Sequence, residues 1–413
     1  GMGLAVGLGT TLLGLALALL GERGSSGRQT WLGPLLRLVA VLPIITPPFV
    51  VGLGLILIFG RAGLVNQFLE WAFDLNPGRW FYGAFGLWLA QMFAFTPVAF
   101  LLLRGVVQGI SPALEEASQT LGATRMQVFR TVTLPLLRSG LANAFLIGFI
   151  ESMTDFGNPI VVGGSFAVLS TEVFFAIVGA QFDPGRASAL AWLLTLFALG
   201  VFFLQNKWSG QGNYTTVGGK GDGGLVAPLP RSVRWTAWTL VLPWLLMTVL
   251  IYAFAFWGGF VKTWGRDYAF TLNHFLTAFR IESSPFGLAW VGTAWQSLWT
   301  TLKLSALAAP LSAILGLLMA WILSRQVFVG RRALEFGTMM AFAIPGTVLG
   351  VSYVVAFNVP PLELTGTGAV IVLCFLFRNL PVGVRAGTAA LGQIDRSIEE
   401  SSALLRASTP QTI

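Results

Sequence analysis

The chain has little of what a water-soluble protein needs. Only 10% of its 413 residues are charged and 55% are hydrophobic, and the mean hydropathy is +0.76. Polar residues are therefore too few to cover a soluble domain of this size. The single cysteine, Cys374, and the single histidine, His274, exclude a disulfide framework and a metal site built from such residues. The Gly-Lys pair in "GGKGDGG" (218–224) lacks the rest of a phosphate-binding loop.

What the chain has instead is a series of apolar runs, each long enough to cross a bilayer of roughly 30 Å as a helix. A transmembrane barrel would alternate apolar and polar residues, whereas "LSAILGLLMAWIL" (311–323) is apolar on every side. The sequence therefore predicts an all-α, polytopic membrane protein with about nine spans. We place them near 1–20, 38–60, 80–103, 141–162, 187–205, 235–257, 300–323, 336–358 and 369–391.

The basic residues predict the orientation of these spans. With 104–140 on the inside, inside segments hold 17 of the 25 Lys and Arg residues and outside segments hold six. Positively charged loops favour the cytoplasm, so the chain is expected to begin there. Topology then explains the formal charge of +8, and the expected partner of the chain is a lipid bilayer, with no nucleic acid.

The sequence also repeats itself. At an offset of 284, residues 96–129 align with 380–413. The apolar stretch 12–20 aligns with 314–322 at an offset of 302, and Pro47 aligns with Pro345 at 298. Changes in offset indicate loops of different length. Both copies place their polar segment on the basic side, so we predict two parallel copies of one membrane unit.

This repeat predicts three regions. They are a first unit at 1–205, a Gly-rich cytoplasmic linker at 206–234, and a second unit at 235–413. Residue 1 begins within an apolar run and residue 413 ends within a polar helical stretch. We therefore expect the first unit to be incomplete at its N-terminus and the second at its C-terminus.

The most polar helical segment, "LEEASQTLGATRMQVFRTVTLPLL" (114–137), lies between two apolar spans. Ser111 and Pro112 are typical of a helix start, and Gly122 is expected to end that helix. Thr124 with Gln127 forms a capping-box pattern that starts another. A helix-turn-helix bracket is therefore predicted at the cytoplasmic surface, and Leu134-Pro135 marks the return to the membrane.

This segment resembles the EAA loop of ABC-importer permeases, which reads Glu-Ala-Ala, three residues, Gly, nine residues, Ile-x-Leu-Pro. Ser118 stands for the second alanine and Val132 for the isoleucine. In that family the loop forms a coupling helix that docks on a cytoplasmic ATPase. The resemblance implies that role for the following residues, the last two belonging to the second copy: Glu115, Glu116, Ala117, Gly122, Leu134, Pro135, Glu399 and Glu400. The second copy departs from the pattern, with serines for both alanines and Arg406 at the glycine position.

Residues 149–194 and 214–222 narrow the resemblance to the fused double permeases of the ferric-iron importer group. This likeness implies two ATP-binding subunits in the cytoplasm, a periplasmic solute-binding protein, and a location in the bacterial inner membrane. ATP would bind a separate subunit, so we expect no cofactor, metal or catalytic residue in this chain and no enzymatic activity. Related permeases for 2-aminoethylphosphonate, polyamines and sulfate-type anions share the fold and remain alternatives.

The charged residues within predicted spans include Glu151, Asp155 and Arg378. Glu151 is expected about 10 residues, or roughly 15 Å, into its helix, and Asp155 is expected one turn further on the same face. Charges at such depth are costly, so they are candidates for the translocation path. Alternatively, they form a structural clamp with Arg378, and the sequence does not decide between the two.

A rival from another class is an ion-coupled secondary transporter with parallel repeats. Glu151 and Asp155 would then carry protons. The loop at 116–135 discriminates between the two, because a secondary transporter has no ATPase to dock.

Overall fold

The computed structural model describes residues 1–24, 32–180, 182–209, 228–285 and 287–392, together with 401, 402, 404 and 405. The described chain is mainly helical. Its helices are α1 (Met2–Arg23), α2 (Leu32–Ile45), α3 (Pro48–Phe59), α4 (Leu64–Phe73), α5 (Ala84–Gln108), α6 (Pro112–Thr120), α7 (Arg125–Val128), α8 (Leu134–Thr154), α9 (Gly157–Val162), α10 (Leu169–Val178), α11 (Pro184–Ser209), α12 (Arg231–Gly258), α13 (Asn273–Ala278), α14 (Thr293–Arg325), α15 (Arg331–Ala343), α16 (Gly346–Ala356) and α17 (Gly368–Gly392).

Two short antiparallel hairpins and a five-residue π-helix, Phe129–Thr133, complete the described secondary structure. The hairpins pair β1 (Val261–Thr263) with β2 (Asp267–Phe270), and β3 (Ile281–Ser284) with β4 (Gly287–Trp290). Both lie in the segment between α12 and α14, which the charge distribution predicts to be outside.

Eight helical stretches among the described residues are long and apolar enough to cross a membrane. The bent pair α15 and α16 makes a ninth if it counts as one span. This confirms the predicted class, a polytopic helical membrane protein. The eight are Met2–Arg23, Phe49–Phe73, Ala84–Gln108, Arg125–Thr154, Pro184–Leu204, Arg231–Gly258, Thr293–Arg325 and Gly368–Gly392.

By its contacts the chain divides into two compact units, Gly1–Thr277 and Ala278–Ile413. The core of the first unit is built by helices from α1 to α12, and it includes the fully buried Leu17, Phe100 and Ile251. The core of the second contains Leu323, Leu380 and Val384. Helix α12, which follows the predicted linker, packs on α1 and α3 in the first unit. Packing and sequence repeat therefore divide the chain differently, and the three predicted regions stay a prediction about the repeat.

Each unit contains the same close crossing of two helices. In the first, α1 packs along α5, and a methyl group added at Gly14 would lie 2.9 Å from backbone atoms of Ala99 and Phe100. In the second, α14 packs along α17, and a methyl group at Gly316 would lie 2.9 Å from the Cα of Gly383. Gly14 aligns with Gly316 at the offset of 302, and Ala99 aligns with Gly383 at the offset of 284. Small residues let helix backbones approach closely in membranes, and this shared contact supports the predicted repeat.

Two predicted spans, 38–60 and 336–358, are broken helices instead of continuous ones. Helix α2 ends at Ile45 and α15 ends at Ala343, and each break is followed by a proline at the N-cap of the next helix. The backbone angles agree closely: Pro47 has φ −58° and ψ 143°, and Pro345 has φ −56° and ψ 140°. Proline disfavours helical geometry in the residue before it, which explains both breaks.

The predicted span 141–162 has different limits in the structure. A five-residue π-helix, Phe129–Thr133, leads into α8, which begins at Leu134 and ends at Thr154. Glu151 therefore lies in the last turn of α8 and not near its middle. Asp155 is the C-cap of α8, with φ −63° and ψ 130°, so the helix ends there, and the expectation that it shares a face with Glu151 stays a prediction. Gly157 and Pro159, which follow directly, account for the break.

Candidate functional site

The predicted helix-turn-helix bracket is present at residues 111–133. Helix α6 has Ser111 at its N-cap and Pro112 in its first turn. It ends at Thr120, and Gly122 follows with φ +86°, a left-handed conformation that suits glycine. The capping box of α7 is also formed: Thr124 N–H donates to Gln127 Oε1 at 2.8 Å, and Gln127 N–H donates to Thr124 Oγ1 at 3.4 Å.

One face of α6 is exposed and partly apolar. Leu114 is 51% exposed and Leu121 is 88% exposed, and Glu116 and Ala117 lie between them on the surface. The spacing of Leu114, Ala117 and Leu121 places them on one side of the helix, as the sequence predicts. Exposed leucines on an otherwise polar helix mark it as a surface where a partner could pack.

Adjacent glutamates on this helix have opposite environments. Glu116 is exposed, whereas Glu115 is 1% exposed. The Glu115 carboxylate forms an ion pair with Arg23, from the last turn of α1, and accepts a hydrogen bond from Thr133 Oγ1 at 2.7 Å. Glu115 was predicted with the coupling residues. Its burial removes it from the surface, so any effect of it on a partner must be indirect.

A small cleft surrounds this ion pair. Its walls include Gln119 and Arg125 from the bracket, and Pro228, Leu229 and Pro230 from the segment that precedes α12. Leu229 is 5% exposed. Residues 228–230, at the end of the segment that connects the two sequence repeats, thus pack against the first bracket.

Leu134 and Pro135 open α8, as predicted for the return to the membrane. The second bracket is only partly described. Glu399 and Glu400 lie outside the described residues, so their predicted role stays a prediction.

Asp155 lies in a buried polar network that joins α5, α8, α9 and α10. Its carboxylate accepts hydrogen bonds from Gln91 Nε2 at 2.9 Å and from Asn158 Nδ2 at 2.9 Å. Ser152 Oγ donates to Gln91 Oε1 at 2.7 Å, and Ser170 Oγ donates to the carbonyl of Asp155 at 2.5 Å. Gln91 is 1% exposed and Asn158 is fully buried. These contacts favour a structural role for Asp155, whereas Glu151 is half-buried and stays a candidate for the path.

Arg378 lies on α17 in the second unit. Its Nη1 donates to the carbonyls of Ala341 at 3.1 Å and Ile344 at 2.9 Å. These carbonyls lie at the break between α15 and α16, where helical partners are missing. The guanidinium therefore satisfies the broken helix within its own unit, and the clamp with Glu151 or Asp155 stays a hypothesis. At the offset of 284, the first unit has Ala94 in this place.

Sequence reasoning missed the partners of Glu115 and Asp155. Arg23 is 92 residues away from Glu115, and no local pattern connects the two. Asp155 and Asn158, by contrast, stand three residues apart beside a glycine and a proline, a pattern typical of a turn. Within the described residues, no group of three or more His, Cys, Asp or Glu residues could hold a metal ion.

Comparison with known proteins agrees with this architecture. Residues 10–209 match the family of binding-protein-dependent transport system inner membrane components. The chain is 44% identical over 408 residues to ferric transport system permease protein FbpB of Actinobacillus pleuropneumoniae, and 43% identical over 408 residues to putative ferric transport system permease protein FbpB 1 of Haemophilus influenzae. Each alignment covers 99% of this chain.

A more distant relative is molybdenum transport system permease protein ModB of Mycobacterium tuberculosis, 34% identical over 191 residues, or 45% of this chain and 68% of the relative. The chain spans 58% and 63% of the length of the two ferric permeases. All three relatives are named as transport components, which agrees with the prediction that the chain is not an enzyme. From its matches and its helical spans, the chain is a multi-pass membrane protein that belongs to the family of binding-protein-dependent transport system inner membrane components.

Proposed function

We propose that this chain is the transmembrane permease of an ATP-driven importer for ferric iron in the bacterial inner membrane. The observation that carries the proposal is its identity of 44% and 43% to two ferric permeases across 99% of its length. Matches to the molybdenum and sulfate permeases cover less of the chain, 40–51% of it at 30–34% identity. Sulfate-type anions are therefore second to iron as substrates, and polyamines and 2-aminoethylphosphonate stay alternatives.

Coupling would take place on the exposed face of α6. A cytoplasmic ATP-binding subunit would pack on Leu114, Ala117 and Leu121, and Glu116 would add a charged contact at the edge of that surface. The second bracket would receive a second ATP-binding subunit. ATP would bind only to those subunits, and their closure would switch the permease between outward and inward access.

The substrate would arrive on a periplasmic solute-binding protein that docks on the outer face. Ferric iron would then be held by that protein before release, so the permease would not need a permanent set of iron ligands. Of the predicted path residues, Glu151 keeps this role in the proposal. Asp155 and Arg378 are engaged in hydrogen bonds at helix breaks and are assigned to holding the path in shape.

Uptake into proteoliposomes tests the proposal. The full-length protein is reconstituted with its ATP-binding subunit, and radioactive ferric iron is offered on the binding protein. We expect uptake that requires ATP on the cytoplasmic side and is unchanged when the proton gradient is collapsed.

Two results would contradict the proposal. Uptake driven by the proton gradient without ATP would support the secondary transporter. ATP-dependent uptake of sulfate, molybdate, a polyamine or 2-aminoethylphosphonate, with no uptake of iron, would keep the permease and reject its substrate.

A further inference from the structure

We propose that the ion pair between Arg23 and Glu115 is a positioning element that carries movement of α6 into the membrane helices. The proposal rests on the proposed function, because it needs an ATP-binding subunit that moves α6. Docking itself would use the exposed face of α6. The buried face would pass the movement on.

Three elements meet at one oxygen of Glu115. Arg23 reaches Oε1 from the last turn of α1, and Thr133 Oγ1 donates to the same atom from the π-helix that leads into α8. Arg23 and Glu115 are both buried, with 3% and 1% of their side chains exposed. Because solvent and salt screen such a pair only weakly, α6 cannot shift without moving α1, α8 or both.

The last turn of α1 is itself tied to further membrane helices. Glu22, next to Arg23, accepts a hydrogen bond from Arg104 Nε of α5 at 2.8 Å and forms an ion pair with Arg37 Nη2 of α2 at 2.9 Å. Its second oxygen accepts from Gln108 Nε2 at 2.9 Å. Neighbouring side chains on one turn therefore face two ways, Arg23 toward the bracket and Glu22 toward the membrane helices. A push on α6 reaches α2 and α5 through this turn.

The pair is a poor choice if its only purpose is stability. Arg23 Nε and Glu115 Oε2 are buried and have no hydrogen-bond partner among the described residues. Apolar residues of similar volume often replace a buried ion pair with no loss of stability. A directional contact that fixes the register of α6 on α1 explains the pair better than its net contribution to folding.

The sequence repeat contains both partners a second time. Arg23 aligns with Arg325 at the offset of 302, and Glu115 aligns with Glu399 at 284. Arg325 lies in the last turn of α14, as Arg23 does in α1. In contrast, Glu22 aligns with Ser324, so the neighbouring network is not repeated. The pair of Arg23 and Glu115 therefore has both of its charged residues in each copy, whereas the network around Glu22 does not.

The test compares docking with transmission in the full-length complex. The variant combines Arg23→Met with Glu115→Leu, which leaves no unpaired charge, and the matched control is Glu335→Leu, which removes a carboxylate at an exposed position of α15. We expect the double variant to retain its ATP-binding subunit on purification. Its stimulation of ATP hydrolysis by iron-loaded binding protein should fall about tenfold, within the range usual for coupling between sites. Glu335→Leu should leave stimulation unchanged.

Two results would overturn the inference. Stimulation of the double variant equal to wild type would show that the charges are not needed. Loss of the ATP-binding subunit on purification would show that the pair builds the docking surface instead. If the double variant does not fold, Thr133→Val removes only the hydroxyl that holds Glu115, and stimulation equal to wild type there would likewise reject the inference. If the wild-type complex shows no stimulation, the proposed function itself is rejected. This result is distinct from a failure of the inference, in which the wild-type complex is stimulated.

Discussion

The glycine crossings of the two units make a quantitative prediction about the internal repeat. Replacing Gly14 with alanine places a methyl group 2.9 Å from backbone atoms of Ala99 and Phe100, and Gly316→Ala places one 2.9 Å from the Cα of Gly383. Backbone cannot rotate away as a side chain can, so the two helices must separate. Overpacking of this kind costs about 1–3 kcal/mol.

Alanine also favours a helix over glycine by about 1 kcal/mol, which offsets part of this cost. Gly200→Ala in α11 is the matched control, because a methyl group there meets no atom within 4 Å. The difference between each crossing variant and this control cancels the propensity gain. We expect that difference to be about 1–3 kcal/mol at both crossings, since the overlap is the same.

Thermal unfolding of the purified protein in detergent measures the effect. Gly14→Ala and Gly316→Ala should lower the melting temperature, and Gly200→Ala should leave it unchanged or raise it. A melting temperature for Gly14→Ala equal to that of Gly200→Ala would refute the close crossing of α1 and α5. Loss at only one of the two glycines would refute the equivalence of the repeats.

Three further predictions concern the bracket, the polar network and the topology. Gly122→Val should strain the left-handed turn by about 1–2 kcal/mol and lower binding-protein-stimulated ATP hydrolysis, whereas Gly122→Asn should be milder; equal losses would contradict the turn. Asp155→Asn can keep its carbonyl oxygen toward the side-chain amides of Gln91 and Asn158, but its own amide group then faces the backbone N–H of Asn158 that donates to Oδ1, so the change should cost about 1–3 kcal/mol in thermal unfolding; slower transport at unchanged stability would favour the path instead. With Cys374 removed, a cysteine at Gly219 should be shielded from an impermeant thiol reagent in intact cells and one at Ser284 should react; the reverse pattern would invert the orientation.

Local sequence patterns predicted the bracket well because its turns are short-range. Gly122 adopts the positive φ that only a small side chain tolerates easily, and Thr124 with Gln127 forms both hydrogen bonds of the capping box. The length of the apolar runs predicted the spans, because the thickness of a bilayer sets the length of each membrane helix. The breaks at Pro47 and Pro345 were missed because run length alone ignores the effect of proline on the preceding residue.

Long-range pairing could not be predicted from these patterns. Adjacent glutamates look alike in the sequence, yet Glu115 is buried against Arg23 and Glu116 is exposed. Which one turns inward depends on where the end of α1 packs, and that position is set by the tertiary fold. Charge alone left Arg378 as a path candidate or as part of a clamp with Glu151 and Asp155, whereas backbone carbonyls at a helix break are among its partners.

The central claim is that the exposed face of α6 couples this permease to an ATP-binding subunit. Its most direct test is binding-protein-stimulated ATP hydrolysis by the full-length complex carrying Glu116→Lys. Glu335→Lys, the same charge reversal at an exposed position near the start of α15, is the control. We predict that Glu116→Lys abolishes stimulation with the melting temperature unchanged, and that Glu335→Lys keeps it. Full stimulation in Glu116→Lys would contradict the claim.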